Sequence, residues 1–200
     1  MTDFVHLHLH TEYSLLDGAA KVDDLVEHLV KNNINACAIT DHGNMYASLY
    51  FAEECVKKGI KYIIGCELYA VDDHLQKQHG IRNEHLVLLA KNKKGYKNIV
   101  KLDSLAYIDG YYGGKPRISY DLIKQHSEGV ICLSACLAGR LPQLLLRGEY
   151  DAAKAWAAEM KGVFGDDFYI ELQDHGIAEQ KQVLPDLIKI ARELDIPLVA

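Results

Sequence analysis

Seven short apolar runs, separated by longer amphipathic stretches, restrict this chain more than any other feature. The runs are Phe4 to His10, Ala36 to Thr40, Tyr62 to Val71, His85 to Ala90, Val130 to Ser134, Phe168 to Gln173 and Pro197 to Ala200. All seven have strand-like length. Between them apolar residues recur at helical spacing, as at Val22, Leu25, Val26, Leu29 and Val30, and again at Leu184, Leu187, Ile188, Ala191 and Leu194. Strand and helix in alternation predict an α/β fold on a mostly parallel sheet. With 200 residues, 49% of them hydrophobic, the chain can build a sizeable core in one large domain or two small ones. No linker, internal repeat or low-complexity segment divides it.

The first run chooses between an open sheet and a barrel. In Phe4-Val5-His6-Leu7-His8-Leu9-His10, strand alternation puts three imidazoles on one face and Val5, Leu7 and Leu9 on the other. No glycine-rich phosphate loop follows, as an open nucleotide-binding sheet would carry there. A polar inner face inside an apolar outer one favours a barrel with a site at its mouth.

Charge and cysteine usage narrow the class. Lys+Arg 22 against Asp+Glu 28 gives −6, so the whole surface is no polyanion binder and any nucleic-acid contact must be local. The terminus Met1-Thr2-Asp3-Phe4 lacks a signal-peptide layout, and no apolar run approaches the ~18 residues of a membrane span. The expectation is a cytoplasmic protein with no membrane contact. Cys37, Cys55, Cys66, Cys132 and Cys136 are odd in number and scattered, without a Cys-x-x-Cys pair, which argues for free thiols or a single ligand rather than disulfides. The chain stops at an apolar run, Ile196 to Ala200, as expected of a piece cut inside or just after a strand.

Chemistry collects where strands should end. His8 and His10, Asp41-His42-Gly43, Glu67, Cys136 and Asp174-His175 all fall at or near such ends. A His-x-His pair on a strand separates its Cα atoms by about 6.5 to 7 Å, close enough to share a metal or serve two neighbouring ones. Plainer readings stand beside these: His6 as a hydrogen-bonded wall residue, Asp41 as a helix cap, Cys132 and Cys136 as small buried hydrophobes. Glu67 resists a plain reading, because a carboxylate inside Ile63-Ile64-Gly65-Cys66 and Leu68-Tyr69-Ala70-Val71 needs a cation or hydrogen-bond partners. Ser14, Ser134 and Asp174-His175 supply the letters of a hydrolase triad but no Gly-x-Ser-x-Gly elbow. Lys91, Lys93, Lys94, Lys97 and Lys101 read as a solvated face or a phosphate-contacting patch. The loop from Asp109 to Arg117 reads as a connection that could act as a flap.

Taken together, His6-Leu-His8-Leu-His10-Thr-Glu-Tyr-Ser-Leu-Leu-Asp17-Gly18, Ile-Thr-Asp41-His42-Gly43-Asn44 and Gly65-Cys-Glu67-Leu-Tyr69 resemble the PHP (polymerase and histidinol phosphatase) family. His85-Leu-Val-Leu-Leu-Ala-Lys, Lys115-Pro-Arg-Ile and Leu133-Ser-Ala-Cys136-Leu extend the likeness through essentially the whole chain. The branch it is most similar to stands at the N-terminus of a bacterial replicative DNA polymerase. The resemblance implies a distorted seven-stranded (β/α)7 TIM-like barrel over residues 1–200, truncated before the family's last Asp-x-His motif. It implies up to three divalent metals (zinc, manganese or iron) on His8, His10, Asp17, His42, Glu67, His85 and Cys136, with Glu67, His8 and His10 central to catalysis.

For activity, the resemblance implies metal-dependent phosphoester hydrolysis, as 3′→5′ exonuclease proofreading within an intact DNA-directed DNA polymerase, the piece itself being weak or inactive. Its implied partners are a single-stranded DNA 3′ end, the remainder of the polymerase chain and proofreading or other replisome subunits. Two other readings are a silent scaffold that binds a proofreading subunit and a free-standing phosphatase. The segment Leu15-Leu16-Asp17-Gly18 and the abrupt C-terminus weigh against the last.

Overall fold

A computed structural model of the chain describes residues 4–15 and 17–200. Met1 to Asp3 of the terminus discussed above, and Leu16 of the Leu15 to Gly18 segment, lie outside the described residues. Seven strands are present among the described residues: β1 Ala36–Ile39, β2 Lys61–Val71, β3 Glu84–Ala90, β4 Arg117–Ser119, β5 Val130–Leu133, β6 Phe168–Glu171 and β7 Leu198–Val199. Around them lie α1 Val22–Lys31, α2 Ser48–Lys58, α3 Lys93–Ile108, α4 Tyr120–Gln125, α5 Arg140–Leu146, α6 Tyr150–Phe164 and α7 Ala178–Glu193. No helix among the described residues is long and apolar enough to cross a membrane.

The expected count of seven holds, but not with the same seven members. The run from Phe4 to His10 is no ladder strand: it bends at Leu7 and His8 and meets β1 and the residue after it through a single bridge, His6 to Cys37, and the bonds Ala38 N–H to His6 O, Thr40 N–H to Leu9 O and Leu9 N–H to Thr40 Oγ1. The bend sends Leu7 into the curl of the sheet beside Val87 and Leu133, while Leu9 packs outside against the α1–α2 layer. Val5, Leu7 and Leu9 therefore do not share one face as alternation predicted. The seventh strand is β4, only three residues long and directly behind Pro116, too short to show a period.

The sheet is mostly parallel, with one reversal. On one side of β2, β1 pairs in parallel from Ala36–Lys61 to Ile39–Ile64, and further along β4 pairs in parallel from Tyr69–Arg117 to Val71–Ser119. On its other side β3 is antiparallel, and β5 is antiparallel to β3. Strands β6 and β7 then continue in parallel. The result is an α/β half-barrel, a seven-stranded sheet curled around its own concave face.

Parity along the strands sorts the side chains. Ile63 on β2, Val87 and Leu89 on β3, Ile131 and Leu133 on β5, and Tyr169 on β6 point into the curl. The alternate residues Cys66, Leu68, Leu86, Leu88, Cys132 and Phe168 pack outward beneath the helices. Each fully buried Leu or Phe of this outer layer contributes roughly 1.5–3 kcal/mol relative to exposure. Helix α1 joins through Val22, Leu25, Val26 and Leu29, while α3 begins at Asn92, whose side chain accepts from Lys94 N–H and Gly95 N–H. The lysine run leads from the far end of β3 into α3, away from the mouth, and Lys91 pairs with Asp167 at 2.7 Å.

The connection before β4 is a tight hairpin. Tyr112 and Lys115 exchange both backbone hydrogen bonds, at 3.0 and 3.2 Å, around Gly113 (φ +59°) and Gly114 (φ +78°). Two consecutive positive φ angles define a turn of the kind that glycine adopts at least cost. The Lys77 ammonium donates to the carbonyls of Asp109 and Tyr111 and ties the hairpin down.

Candidate metal centre

Glu67 occupies the concave side of β2, in line with Ile63, and its side chain is 1% exposed. Four imidazoles from three separate segments close on its two oxygens. His8 Nε2 lies 3.3 Å and His85 Nδ1 2.8 Å from Oε1; His10 Nε2 lies 3.6 Å from Oε2, which His42 Nδ1 also abuts. Cys136 Sγ is 3.8 Å from Oε1 and 3.5 Å from His85 Nδ1. Asp17 reaches the group through His42 Nε2, 3.0 Å from its Oδ2. All seven candidate residues thus converge on one mouth, which opens into a cavity of about 610 Å³.

Local sequence explains each placement. Asp41 accepts from Thr11 N–H at 2.6 Å, Thr11 O–H at 2.8 Å and Ser14 O–H at 2.7 Å, so it pins the loop after the first run onto the end of β1. That structural work disposes of the helix-cap reading and fixes its neighbour His42, which bridges to Glu67 through the bonds Gly43 N–H to Glu67 O and Glu67 N–H to Asp41 O. His85 opens its run, yet β3 is antiparallel, so the start of β3 lies at the same mouth as the ends of the parallel strands. Ala135 takes a left-handed conformation at φ +64°, unusual outside glycine, and turns the chain after β5 so that Cys136 faces Glu67. Cys132, fully buried, packs outward in the core.

One participant was not anticipated from sequence. Glu171 ends β6 on the concave side, two residues after Tyr169, and its Oε1 is 2.8 Å from His8 Nδ1. Its parity and strand-end position carry the same signal that singled out Glu67. Asp174 and His175 line the cavity, but His175 Nδ1 engages Gln180 at 3.1 Å rather than Glu67. Ser134 accepts from Glu171 N–H at 3.0 Å, and Ser14 serves Asp41, so the triad letters are spent on structure.

The electrostatics are those of a dense charged cluster. Burial alone would push the Glu67 carboxyl up, yet His42, His8 and His85 together hold it well below the usual carboxylate range. Burial also opposes a charge on His8, but Glu171 and Glu67 push its pKa up to about 10. Burial lowers His10, and burial with Glu67 nearby pushes the Cys136 thiol up to about 12. Despite the crowding, His8 Nε2, His10 Nδ1, His42 Nδ1, Glu67 Oε2 and Glu171 Oε2 are buried without a hydrogen-bond partner. Two groups, His8–His10–Glu67 and His42–Glu67–His85, each bring three ligand atoms within 4.8 Å of one another and could hold a metal ion.

A family model described as PHP domain matches residues 6–175, the stretch that supplies every one of these side chains. The chain belongs to the PHP domain family. Among curated relatives it is 50% identical to DNA polymerase III subunit alpha of Treponema pallidum and 48% identical to that of Borreliella burgdorferi, with 98% of this chain covered in each case. It is 42% identical to the Aquifex aeolicus protein of the same name, with 99% covered. The chain spans 17 to 18% of the length of these relatives. Among solved structures the PHP fold matches a Bifidobacterium adolescentis protein assigned as a metal-dependent phosphoesterase, with TM-score 0.58, 17% identity and coverage of 97% of this chain and 85% of that one. An amidohydrolase from Chromobacterium violaceum gives TM-score 0.56 at 14% identity, covering 97% and 84%. The shared architecture is a curled sheet with helices outside.

Proposed function

We propose that residues 1–200 form the PHP domain of a bacterial replicative DNA polymerase and that this domain hydrolyses phosphodiesters at a divalent-metal centre, as a 3′→5′ exonuclease on a single-stranded DNA end. The observation that carries the reading is Glu67: a carboxylate buried in a strand, ringed by four imidazoles of which His85 alone makes a hydrogen bond to it among the described residues. Buried polar atoms left without partners are costly, and bound cations would satisfy them together.

His8, His10 and Glu67 would hold one cation and His42, Glu67 and His85 a second, with Glu67 shared. Asp17 and Cys136 flank the two groups and complete the set. Imidazole, carboxylate and one thiol suit zinc, manganese or iron, up to three ions in all. Divalent cations supply Lewis-acid polarisation of a phosphoryl oxygen and a more acidic water. The chain itself holds the imidazoles in fixed orientation: Glu171 fixes His8 through Nδ1 and leaves Nε2 facing Glu67. The apolar curl beneath, with Leu7 and Leu133 at the cavity floor, keeps bulk water from one side of the site.

The partners in this reading are a DNA 3′ end, the remainder of a polymerase chain and other replisome subunits, supported by the name of the relatives, DNA polymerase III subunit alpha. The test is manganese- or zinc-dependent release of nucleotides from a 3′-ended single strand, by the chain and by Glu67→Gln. Slow release by the chain, as expected of the piece alone, lost in Glu67→Gln together with bound metal, is the expected result. Stoichiometric metal without release would replace the nuclease reading with a scaffold; no metal in the presence of excess zinc and manganese would end the metal-centre reading itself.

A further inference from the structure

A second groove of about 560 Å³ opens from the same centre, sharing Asp17, His42 and His85 with it. Its walls are unusually rich in tyrosine: Tyr46, Tyr69, Tyr107 and Tyr111 come from four segments that sequence separates by up to 65 residues. Tyr69 links groove to centre, its ring 6.2 Å from that of His42 and 5.4 Å from that of His85. Farther out, Tyr107 and Tyr111 lie parallel at 6.0 Å with 16° between their planes, and the Tyr46 hydroxyl reaches that of Tyr107 at 3.4 Å. Tyr46 and Tyr111 are nonetheless 62% and 52% exposed, so both leave aromatic surface open along the groove.

A cation stands among these rings. Lys115, presented by the Gly113–Gly114 turn, places its ammonium 2.8 Å from the Tyr69 hydroxyl and 4.5 Å from the centre of its ring. Asn83 lines the same wall, with an Oδ1 that is buried and unpartnered. Flat aromatic faces beside a fixed cation, leading to a phosphoester-cleaving centre, match the chemistry of an unpaired strand: bases stack on rings while the backbone passes a positive charge. A duplex offers no free base faces, and a small phosphate ester would need none of these tyrosines. The net charge of −6 confines nucleic-acid contact to a local site, and this groove is such a place.

We infer that the groove lined by Tyr46, Tyr107, Tyr111 and Lys115 is the track that holds the nucleotides of a single DNA strand next to the bond cleaved at Glu67. This rests on the phosphoesterase reading above. Stacking on exposed rings tolerates any base, so the track selects unpaired DNA over duplex without selecting sequence.

The test is equilibrium binding of a 5′-labelled oligothymidylate to the 200-residue chain in EDTA, followed by fluorescence anisotropy so that no cleavage interferes. Tyr111→Ala and Tyr46→Ala are each expected to raise Kd about tenfold, whereas Tyr111→Phe, which keeps the ring, stays within about twofold of the unaltered chain. Lys115→Gln should weaken binding and flatten its salt dependence. Tyr62→Ala, an exposed tyrosine of β2 outside the groove, is the control and should bind as before. Thermal melts of each variant exclude unfolding as the cause. Binding indifferent to Tyr46 and Tyr111, no measurable binding by the unaltered chain, or a preference for the matching oligoribonucleotide or for duplex would overturn the inference. Manganese-dependent hydrolysis of bis(p-nitrophenyl) phosphate by the unaltered chain separates the two levels. Hydrolysis with tyrosine-indifferent binding sinks the groove alone, and tyrosine-dependent binding without hydrolysis sinks only the phosphoesterase reading.

Discussion

His8 Nδ1 and Glu171 Oε1 stand 2.8 Å apart across 163 residues of sequence, joining the first apolar run to the end of β6. A carboxylate behind an imidazole fixes its tautomer and ring orientation, so Glu171 acts on the metal centre through His8. Glu171→Gln keeps the shape and removes the charge. It is expected to lower metal affinity about 10- to 100-fold, read by chelator competition, with the melting temperature of the metal-free chain little changed. Unaltered affinity would show that His8 is held by its surroundings alone.

Cys132 and Cys136 make a paired test four residues apart. Cys136 Sγ faces Glu67 and His85, so Cys136→Ser should reduce bound metal, measured by elemental analysis after dialysis. Cys132 is fully buried against apolar neighbours, and Cys132→Ser should leave metal content alone while costing roughly 1–3 kcal/mol for an ill-satisfied hydroxyl. Equal effects of the two changes on metal content would remove Cys136 from the ligand set.

Asp17 and Glu67 should differ in weight. The Asp17 side chain is 60% exposed and, among the described residues, touches the centre through His42. Asp17→Asn is therefore expected to weaken metal binding less than tenfold, against complete loss for Glu67→Gln in the same calorimetric titration. A larger loss for Asp17→Asn than for Glu67→Gln would reverse the order of importance argued here.

Asp103 on α3 gives a pH dependence of its own, outside the set of candidate ligands. Burial pushes its carboxyl up to about 7, and its Oδ1 has no hydrogen-bond partner. The folded state therefore binds the proton more tightly than the unfolded chain, whose Asp titrates near 4. Between about pH 4 and 7 the folded form carries the extra proton, so this group's contribution to stability falls as pH rises through that window. Asp103→Asn should flatten that slope and stabilise the chain by roughly 1–2 kcal/mol at pH 8, less than full linkage because part of the group stays hydrated. Parallel melting curves of the two proteins across pH 4–8 would contradict the assignment.

Much of this was legible in the sequence because burial imposes a period. Six of the seven apolar runs became strands, and Glu67 stood out as a charge where the period demanded an apolar residue. Strand direction leaves no such trace: nothing in Glu84 to Ala90 says that β3 runs antiparallel, which is why His85 opens its run yet reaches the mouth. The first run misled because three alternating histidines look like a strand, while the chain bends at Leu7 and His8 to bring two of them to Glu67. Glu171 carried a readable signal in its parity with Tyr169. The tyrosine groove carried none, since Tyr46, Tyr69, Tyr107 and Tyr111 become neighbours only after the sheet curls.

Because Glu67 belongs to both groups of three ligands, cations held there could not load independently. Whatever occupation of the His8–His10 side does to affinity on the His42–His85 side, the second ion must do in return to the first, by thermodynamic reciprocity. A carboxylate drawn toward one ion gives up charge to it, so the sign of that coupling depends on how far Glu67 is polarised before the second arrives. A metal titration of this chain should then depart from a sum of independent isotherms, and a change at Glu67 should erase the cooperativity along with the sites.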